Sequence, residues 1–440
     1  MVLLRNFLNI FYVPELRRKI FFTLVVLIIY RLGNHIPIIG IDIDQLHDLV
    51  SRKTTLGGLF SYLDLFSGGS LSKGMLFALG ISPYITASIM MQFLTLSVPY
   101  LEALSKEGEF GRKLINQYTR YLALGVSLIQ SFALVVVLEK SGLVLDPGWG
   151  ARLLFIFSLT IGSMFVMWLG EQISLHGLGN GSSMIIFAGI VSRLPDDVIR
   201  TIGAIQQNMI DPIVGIIILL VVIGITACIV FLEKGQRKIA VQYARRIVGQ
   251  RMYGGQSSYI PFKINSAGVM PVIFANTMLN IPLFALSAIA ARFESMQWLS
   301  TVFSQNGLVY NTLNFVLIIA FTFVYTAIQY NPDELAENMK KSGGFIPGIR
   351  PGKKTAEFFN FLLTRLGLVG ALYLGMLVVI PTLIHFVLRM PFYVGVMSGT
   401  ALLIMVGVAL DTAAQVESYL IEHNYEGFLL TGRMTGRKLR

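Results

Sequence analysis

Long apolar runs separated by short polar segments make up most of the chain. A helix needs roughly 17 to 25 apolar residues to cross a hydrocarbon core of about 30 Å. Ten runs of about that length are present, at about 20–39, 75–97, 118–138, 152–172, 182–200, 213–232, 268–290, 312–331, 364–388 and 393–415. The pattern predicts an all-α integral membrane protein with ten transmembrane helices.

A shorter apolar stretch interrupts this pattern between the first two runs. Residues 59–66 read Leu-Phe-Ser-Tyr-Leu-Asp-Leu-Phe and end at a Ser-Gly-Gly-Ser sequence, 67–70. As a helix the stretch reaches only about 12 Å at 1.5 Å per residue, too short to cross the membrane. Its Asp64 is costly in lipid. Irregular backbone at membrane depth is tolerated only where protein or water surrounds it, so the sequence predicts a re-entrant half-helix in a pore or transport pathway.

The composition agrees with a membrane protein. Of 440 residues, 54% are hydrophobic and 13% charged, and the mean hydropathy is +0.68; a soluble protein carries about a quarter charged residues. Cys228 is the single cysteine, which excludes an intrachain disulfide and a cysteine-based metal site. No small-residue cleavage site follows the first apolar run, so we expect that run to be retained as an anchor.

Basic residues indicate the orientation. Most of the 35 lysines and arginines fall in alternate connections between the runs and at the two ends of the chain. The positive-inside rule therefore predicts that both termini are cytosolic.

The number of spans suggests how the chain is divided. Two sets of five helices must enter the membrane in opposite senses, which is the arrangement of an inverted repeat, although no sequence repeat is visible. We expect an N-terminal half at 1–195 with the half-helix at about 60–70, and a C-terminal half at 196–415. Two cytosolic loops, about 233–263 and 332–363, belong to the second half, and 416–440 form a cytosolic tail.

The two cytosolic loops are long and cationic. Residues 233–263 carry seven basic residues and one acidic residue. In the second loop, 347–354 read Pro-Gly-Ile-Arg-Pro-Gly-Lys-Lys, a composition that predicts a stiff turn with Arg350 at its tip. Enforcing topology and attracting anionic lipid explains part of the charge but not the length of the loops. The loops therefore suggest a docking platform for a partner.

The sequence offers little support for catalysis or for a cofactor. Residues 348–355 read Gly-Ile-Arg-Pro-Gly-Lys-Lys-Thr, which lacks the spacing of a phosphate-binding loop and a preceding apolar strand. The five histidines are isolated and have no metal-ligand spacing. We therefore expect no catalytic, cofactor-binding or metal-binding residues.

Polar residues do interrupt several predicted spans. They include Thr86, Gln92, Gln130 and Asn276. One interpretation is ordinary contact between packed helices, and the other is a polar seam between helices that can open. Ionisable residues lie mostly near the ends of the spans, which does not favour an ion-coupled site at the membrane midplane.

In several sequence motifs the chain resembles the SecY family, the central subunits of the bacterial protein-conducting channel. The motifs that carry the resemblance are 63–71, 77–89, 111–120, 168–172, 179–181, 186–190, 233–237, 265–269 and 348–352. They occur in the family's order and cover nearly the whole chain.

The resemblance implies an hourglass channel whose two halves open sideways between spans two and three and spans seven and eight, where Thr86, Gln92, Gln130 and Asn276 lie. It implies a plug that contains Leu63, Asp64, Leu65, Phe66, Ser67, Gly68 and Gly69. It also implies a pore ring of Ile81, Ile85, Ile190, Ile273 and Ile404, with Ile186 as a further candidate. Branched apolar side chains around a narrow passage dewet it. Without the resemblance, each isoleucine is ordinary packing or faces lipid.

The resemblance also implies partners and a location. The family's cationic loops bind the ribosome, through RNA phosphates, or the SecA motor ATPase. The matching residues are Arg237, Lys238 and Arg350, with Arg245, Arg246 and Arg251 in support. Small SecE-like and SecG-like membrane subunits, unfolded secretory or membrane polypeptides and anionic lipids are further implied partners, in the cytoplasmic (inner) membrane. Gln250 departs from the family, which often has paired arginines there.

The predicted function is therefore a passive channel for unfolded polypeptides, driven by a ribosome or a motor ATPase. Two alternatives come from other classes of protein. A secondary transporter shares broken helices and inverted halves but needs a binding site at the midplane. A membrane enzyme needs a nucleophile, an acid pair or a metal cluster within the spans.

Overall fold

The structure is a computed structural model that describes residues 13–38, 40, 46, 64, 67–140, 142–144, 148–207, 211–243, 246–248, 251–253, 257–279, 307–387 and 399–435. Several predictions lie outside these residues. They concern Leu63, Leu65 and Phe66 of the predicted plug, Arg245 and Gln250 of the first cationic loop, and the remainder of the spans predicted at 268–290 and 393–415.

Helices form most of the described chain. They are α1 (Pro14–Gly33), α2 (Ser82–Ser97), α3 (Pro99–Lys106), α4 (Glu109–Lys140), α5 (Trp149–His176), α6 (Gly181–Gln206), α7 (Pro212–Glu233), α8 (Met270–Leu279), α9 (Leu308–Gln329), α10 (Pro332–Lys341), α11 (Lys353–Val387) and α12 (Gly399–Thr435). The strands are β1 (Gln236–Tyr243), β2 (Arg246–Val248), β3 (Arg251–Tyr253), β4 (Ser257–Lys263) and β5 (Gly344–Phe345).

Each of the ten predicted spans overlaps a described helix, and 280–290 of the seventh span and 393–398 of the tenth lie outside the described residues. Among the described residues, 6 helices are long and apolar enough to cross a membrane, or up to 7 if α2 and α3, bent by 99°, count as one span. Helices α1 and α6 also lie at predicted spans, but α1 carries charged residues at both ends and α6 carries Arg193, Asp196, Asp197 and Arg200. The membrane part is therefore helical and multi-pass, as predicted.

Helix α2 begins later than the apolar pattern indicates. The predicted span starts at residue 75, whereas residues 76–81 form turns and the helix begins at Ser82. Gly80 has a φ of +53°, in the left-handed region, and a proline lies in the first turn of the helix. A positive φ breaks the helical geometry, and proline is well tolerated at a helix start. The apolar residues 75–81 are therefore a folded turn rather than the first two turns of a span.

The chain divides into two compact units. Unit one contains the described residues up to Val198 together with those from Val408 onward. Within it, α4 packs against α2 and α5, and an apolar core includes Leu79, Leu134, Phe155 and Leu159.

Unit two contains the described residues between Ile199 and Gly407. Helix α9 packs along α11, and α10 packs against the beginning of α11. Unit two also contains all the strands.

A small sheet occupies the cationic loops, where the sequence predicts no strand. Strand β1 pairs antiparallel with β4, from Gln236 opposite Lys263 to Gln242 opposite Ser257. The short β5, from the second loop, pairs with the other edge of β1. Strands β2 and β3 form a separate hairpin. The two loops are therefore joined by backbone hydrogen bonds into one substructure.

Candidate functional site

The re-entrant stub, defined as Asp64 and residues 67–70, ends the segment that the sequence predicts as a half-helix. Asp64 and Ser67 have helical backbone, and Gly68 and Gly69 follow with φ of +68° and +86°. The Oδ1 atom of Asp64 accepts a 2.9 Å hydrogen bond from the backbone N–H of Ser72. The acidic side chain therefore stabilises the turn that reverses the chain.

Helices α1 and α6 hold the stub. Arg193 on α6 forms an ion pair with Asp64, with 3.1 Å between Nη1 and Oδ2. Tyr30 on α1 and Asn34, which caps the end of that helix, both donate to the carbonyl oxygen of Ser67, each at 3.4 Å. All these groups belong to unit one, so the stub is part of its packed interior.

Gly68 is the point of closest approach between the stub and α6. A Cβ atom at Gly68 would lie 2.9 Å from the Cα of Gly189, a distance that real Cβ contacts do not show. The left-handed φ and the contact both require glycine here. Asp64, Ser67, Gly68 and Gly69, the described members of the predicted plug, therefore form a built element, and their role as a plug stays a prediction.

The predicted pore-ring residues of unit one are three isoleucines and one further candidate. Ile81 precedes α2, Ile85 lies in its first turn, and Ile186 and Ile190 lie on α6. Ile85 is half-buried and the other three are buried. The Cδ1 of Ile81 lies 3.4 Å from the position of a Cβ on Gly170 of α5. Ile81 therefore packs toward α5, in addition to any role that it has in a ring.

The remaining ring residues belong to unit two. Ile273 lies on α8 and Ile404 on the first part of α12, and both are buried. The convergence of all five isoleucines on one axis stays a prediction.

The predicted gate residues of unit one are polar groups within apolar helices. The Thr86 hydroxyl, on α2, donates to the carbonyl oxygen of Ser82 at 3.1 Å. Gln92, on the same helix, is half-buried. On α4, Gln130 has a buried Oε1 that accepts no hydrogen bond. A buried amide oxygen without a donor is costly, and the role of these residues in a seam that opens stays a prediction.

Asn276 is the predicted gate residue of unit two, and it has a partner that the sequence did not single out. Its Nδ2 donates to the carbonyl oxygen of Val272 at 2.9 Å, and its Oδ1 accepts from Nδ2 of Asn314 on α9 at 3.1 Å. Both asparagines are buried. Asn314 lies in the apolar run at 312–331, so an asparagine within a span was the available signal.

The predicted docking residues that the structure describes lie in the two cationic loops. Arg237 and Lys238, on β1, are exposed, and the Nζ of Lys238 lies 4.7 Å from the ring centroid of Tyr259 on β4. Arg350 is exposed in the turn before α11. Arg246 and Arg251 lie on β2 and β3, where Val248 pairs with Arg251.

A hydrophobic core packs against the sheet of the cationic loops. Val241, Phe262, Ile346 and Phe359 are buried in one cluster that joins the sheet to α10 and α11. The exposed cations therefore stand on a rigid base. We call the sheet, α10 and the beginning of α11 the cationic platform.

Among the residues that the structure describes, no group of three or more histidine, cysteine or acidic side chains could hold a metal ion. The chemistry that this chain does offer is a docked re-entrant segment, buried isoleucines, polar groups inside apolar helices and an exposed cationic platform.

These features define a class, the multi-pass helical membrane proteins that contain a re-entrant segment. The sequence profile described as SecY matches residues 75–413 of this chain. The chain belongs to the SecY family.

Relatives match along almost the entire length. The protein translocase subunit SecY of Thermus thermophilus is 43% identical over 99% of this chain and 100% of its own. The subunit of the same name from Escherichia coli K12 is 43% identical over 96% of both chains. Family membership therefore applies to the whole molecule and not to one segment.

Solved structures agree on the fold. A SecY structure, described as one whose plug domain stabilises the closed state of the translocation channel and maintains a membrane seal, has a TM-score of 0.61 at 18% identity and covers 91% of this chain and 92% of that one. The idle yeast Ssh1 complex bound to the yeast 80S ribosome has a TM-score of 0.62 at 16% identity and covers 92% and 90%. At such low identity, these matches show a common fold.

Proposed function

We propose that this chain is the pore-forming subunit of a protein-conducting channel in the cytoplasmic membrane. It passes unfolded polypeptides across the membrane and releases apolar segments sideways into lipid. The observation that carries the proposal is the 43% identity, over nearly the full length of both chains, to a protein translocase subunit. The docked re-entrant stub supports it, because broken helices inside a multi-pass protein mark transport pathways.

The seal is assigned to the isoleucine ring and the stub. Ile81, Ile85, Ile190, Ile273 and Ile404, with Ile186 as the additional candidate, offer water and ions no hydrogen bonds and dewet a narrow passage. Aliphatic side chains also yield around a passing chain without leaving a polar group unpaired. The stub supports this seal from within unit one. A SecY structure is described as one whose plug domain stabilises the closed state and maintains a membrane seal.

The sideways opening is assigned to the polar residues of α2, α4 and α8. Thr86, Gln92 and Gln130 lie on the two helices of unit one, and Asn276 lies on α8 of unit two. Weak polar contacts suit a boundary that must open, because hydrogen bonds between membrane helices contribute only about 0.6 kcal/mol on average. The transfer of an apolar segment from the passage into lipid is favourable and would offset the loss of these hydrogen bonds.

The channel needs an external source of energy, and the cationic platform is the proposed docking site for it. The exposed Arg237, Lys238 and Arg350, with Arg245, Arg246 and Arg251 in support, would neutralise the RNA phosphates of a ribosome or dock a SecA-like motor ATPase. A structural relative is described as bound to a ribosome, which supports the first partner. Family membership supports SecE-like and SecG-like subunits, and the loop charge suits anionic lipids and two cytosolic termini.

A crosslinking experiment tests the proposal. A photo-crosslinker at Ile85 should form adducts with a secretory chain arrested in translocation, because Ile85 is placed at the narrowest part of the path. The same crosslinker at Ile161, an exposed residue of α5, is the control and should give few adducts. Arrested chains that crosslink equally at both positions, or at neither, would refute the channel. Uptake of a small solute by liposomes that contain the protein would instead indicate a secondary transporter.

A further inference from the structure

Two carboxylates are buried among the described residues, Asp64 and Asp197, and Asp64 is the more deeply buried. The Asp64 side chain is only 2% exposed. An ionised carboxylate without a partner is expensive to bury, so its surroundings must compensate it. The hydrogen bond from Ser72 stabilises the turn but supplies no charge.

The compensating charge comes from α6. Arg193 is 22% exposed, and its Nη1 lies 3.1 Å from Oδ2 of Asp64. Nη1 is buried and makes no aligned hydrogen bond, so the contact is electrostatic rather than a directional bond. The pair joins two segments that are far apart in the sequence, the stub and the middle of α6.

A second cation supports the same junction without contacting the carboxylate. Nη1 of Arg31 on α1 donates to the Ser192 hydroxyl at 3.1 Å and to the carbonyl oxygen of Gly68 at 3.4 Å. Ser192 in turn donates to the carbonyl oxygen of Gly189 at 2.8 Å. The stub is therefore connected to α1 and α6 by hydrogen bonds as well as by the ion pair.

The junction lies next to the predicted pore ring. Gly68 approaches Gly189, and Gly189 immediately precedes Ile190. A displacement of the stub would remove a neighbour from the backbone that carries Ile190. Whatever holds the stub thus also fixes one member of the ring.

We propose that Asp64 and Arg193 form a charge latch that holds the stub against α6 and sets how readily the sealed channel opens. The proposal rests on the proposed channel function. While the passage is closed, separating the pair leaves the buried Asp64 carboxylate without its counter-charge, which is strongly unfavourable, whereas in a hydrated passage water solvates both groups. The latch therefore opposes opening until water or a polypeptide enters, and it weakens once the passage is wet.

A double-mutant cycle tests the latch, with the resting ion conductance of the purified channel complex in planar bilayers as the measurement. Asp64→Asn keeps the shape of the side chain, and Arg193→Gln removes the opposite charge. Each should raise the resting conductance by about tenfold or more, as expected when one partner of a largely buried pair is lost. The double variant should be no leakier than the worse single variant, because the two residues act as one unit.

Two further variants separate charge from general damage. Arg193→Lys retains the positive charge and should stay close to wild type. Arg200→Gln removes an exposed charge from the same helix and should leave the conductance unchanged. Melting temperatures of all variants, measured in detergent, identify any that are merely unfolded, and Asp64→Asn is nearly isosteric.

The outcomes distinguish the latch from the channel function. Folded single variants with wild-type conductance, or conductance effects that add in the double variant, would overturn the latch. If Ile85 forms adducts with an arrested chain but the Asp64→Asn variant has wild-type ion conductance, only the latch is refuted. The absence of such adducts in the wild-type protein would refute the channel and the latch with it.

Discussion

Nδ2 of Asn314 on α9 donates a 3.1 Å hydrogen bond to Oδ1 of Asn276 on α8, and both side chains are buried. Two amides that meet within apolar helices fix the register of one helix on the other. Asn314 retains an unpaired buried Oδ1, so the contact is only partly satisfied. Both asparagines belong to unit two, so the pair holds α8 and α9 together on one side of the opening proposed beside Asn276.

Replacing Asn314 tests this junction. Asn314→Leu leaves Oδ1 of Asn276 without its donor, and the free energy of unfolding should fall by about 1 kcal/mol. Asn311→Leu, one turn earlier on α9, is a control that also removes a side-chain amide, whose Nδ2 donates to the carbonyl oxygen of Gly307 just before the helix. Thermal unfolding in detergent measures both. Equal losses in the two variants would mean that the contact between α8 and α9 contributes nothing specific.

Gly68→Ala should loosen the seal. Its Cβ would lie 2.9 Å from the backbone of Gly189, so the stub or α6 must move. Gly142→Ala is a matched control, because Gly142 has nearly the same φ, +71°, but has nothing within 4 Å of its Cβ position. Both variants bear a backbone strain of about 1–2 kcal/mol, and only Gly68→Ala should raise the resting ion conductance. The prediction fails if both variants conduct alike.

Glycine at the predicted ring should make the channel leak. Ile85→Gly or Ile190→Gly removes a branched side chain from the proposed constriction, so water fills it and ion conductance rises. Ile161→Gly imposes the same helix cost of about 1 kcal/mol at an exposed position of α5, and its conductance should match the wild type. Bilayer recordings of the three variants give the comparison. Wild-type ion conductance in both Ile85→Gly and Ile190→Gly would contradict the proposed pore ring.

Charge reversal on the cationic platform should weaken partner binding. Arg350→Glu places a carboxylate at the exposed turn before α11, and ribosome affinity should fall while protein expression stays normal. The slope of log affinity against log salt should decrease in magnitude by at least about one if Arg350 contacts a phosphate. Lys113→Glu, the same change at an exposed position of α4, should have little effect. A salt slope that Arg350→Glu leaves unchanged would remove Arg350 from the docking surface.

Hydropathy predicted the spans because lipid imposes a minimum length on every crossing helix. The same length argument predicts the half-helix, since a piece with Asp64 that cannot cross must turn back, and most of that piece lies outside the described residues. The predicted start of the second span was wrong, because composition does not distinguish an apolar turn from an apolar helix. Gly80 and Pro83 were the available signals.

The sequence alone could not predict which groups the individual polar residues contact. Arg193 was visible as an ionisable residue in a span, but its pairing with Asp64 depends on the packing of distant segments. The sheet was missed for another reason, since charged residues dominate its loop. The alternation of buried Ile239 and Val241 with exposed neighbours is the strand period that the charges conceal.

The pairing of β5 with β1 has a mechanical consequence. Gln242 pairs with Phe345, and β1 begins shortly after α7 ends at Glu233, while α11 begins shortly after Arg350. Any force that a docked machine exerts on either loop is thus shared by both, and it reaches the ends of two long helices at the same time. The two cationic loops therefore transmit force as one mechanical unit.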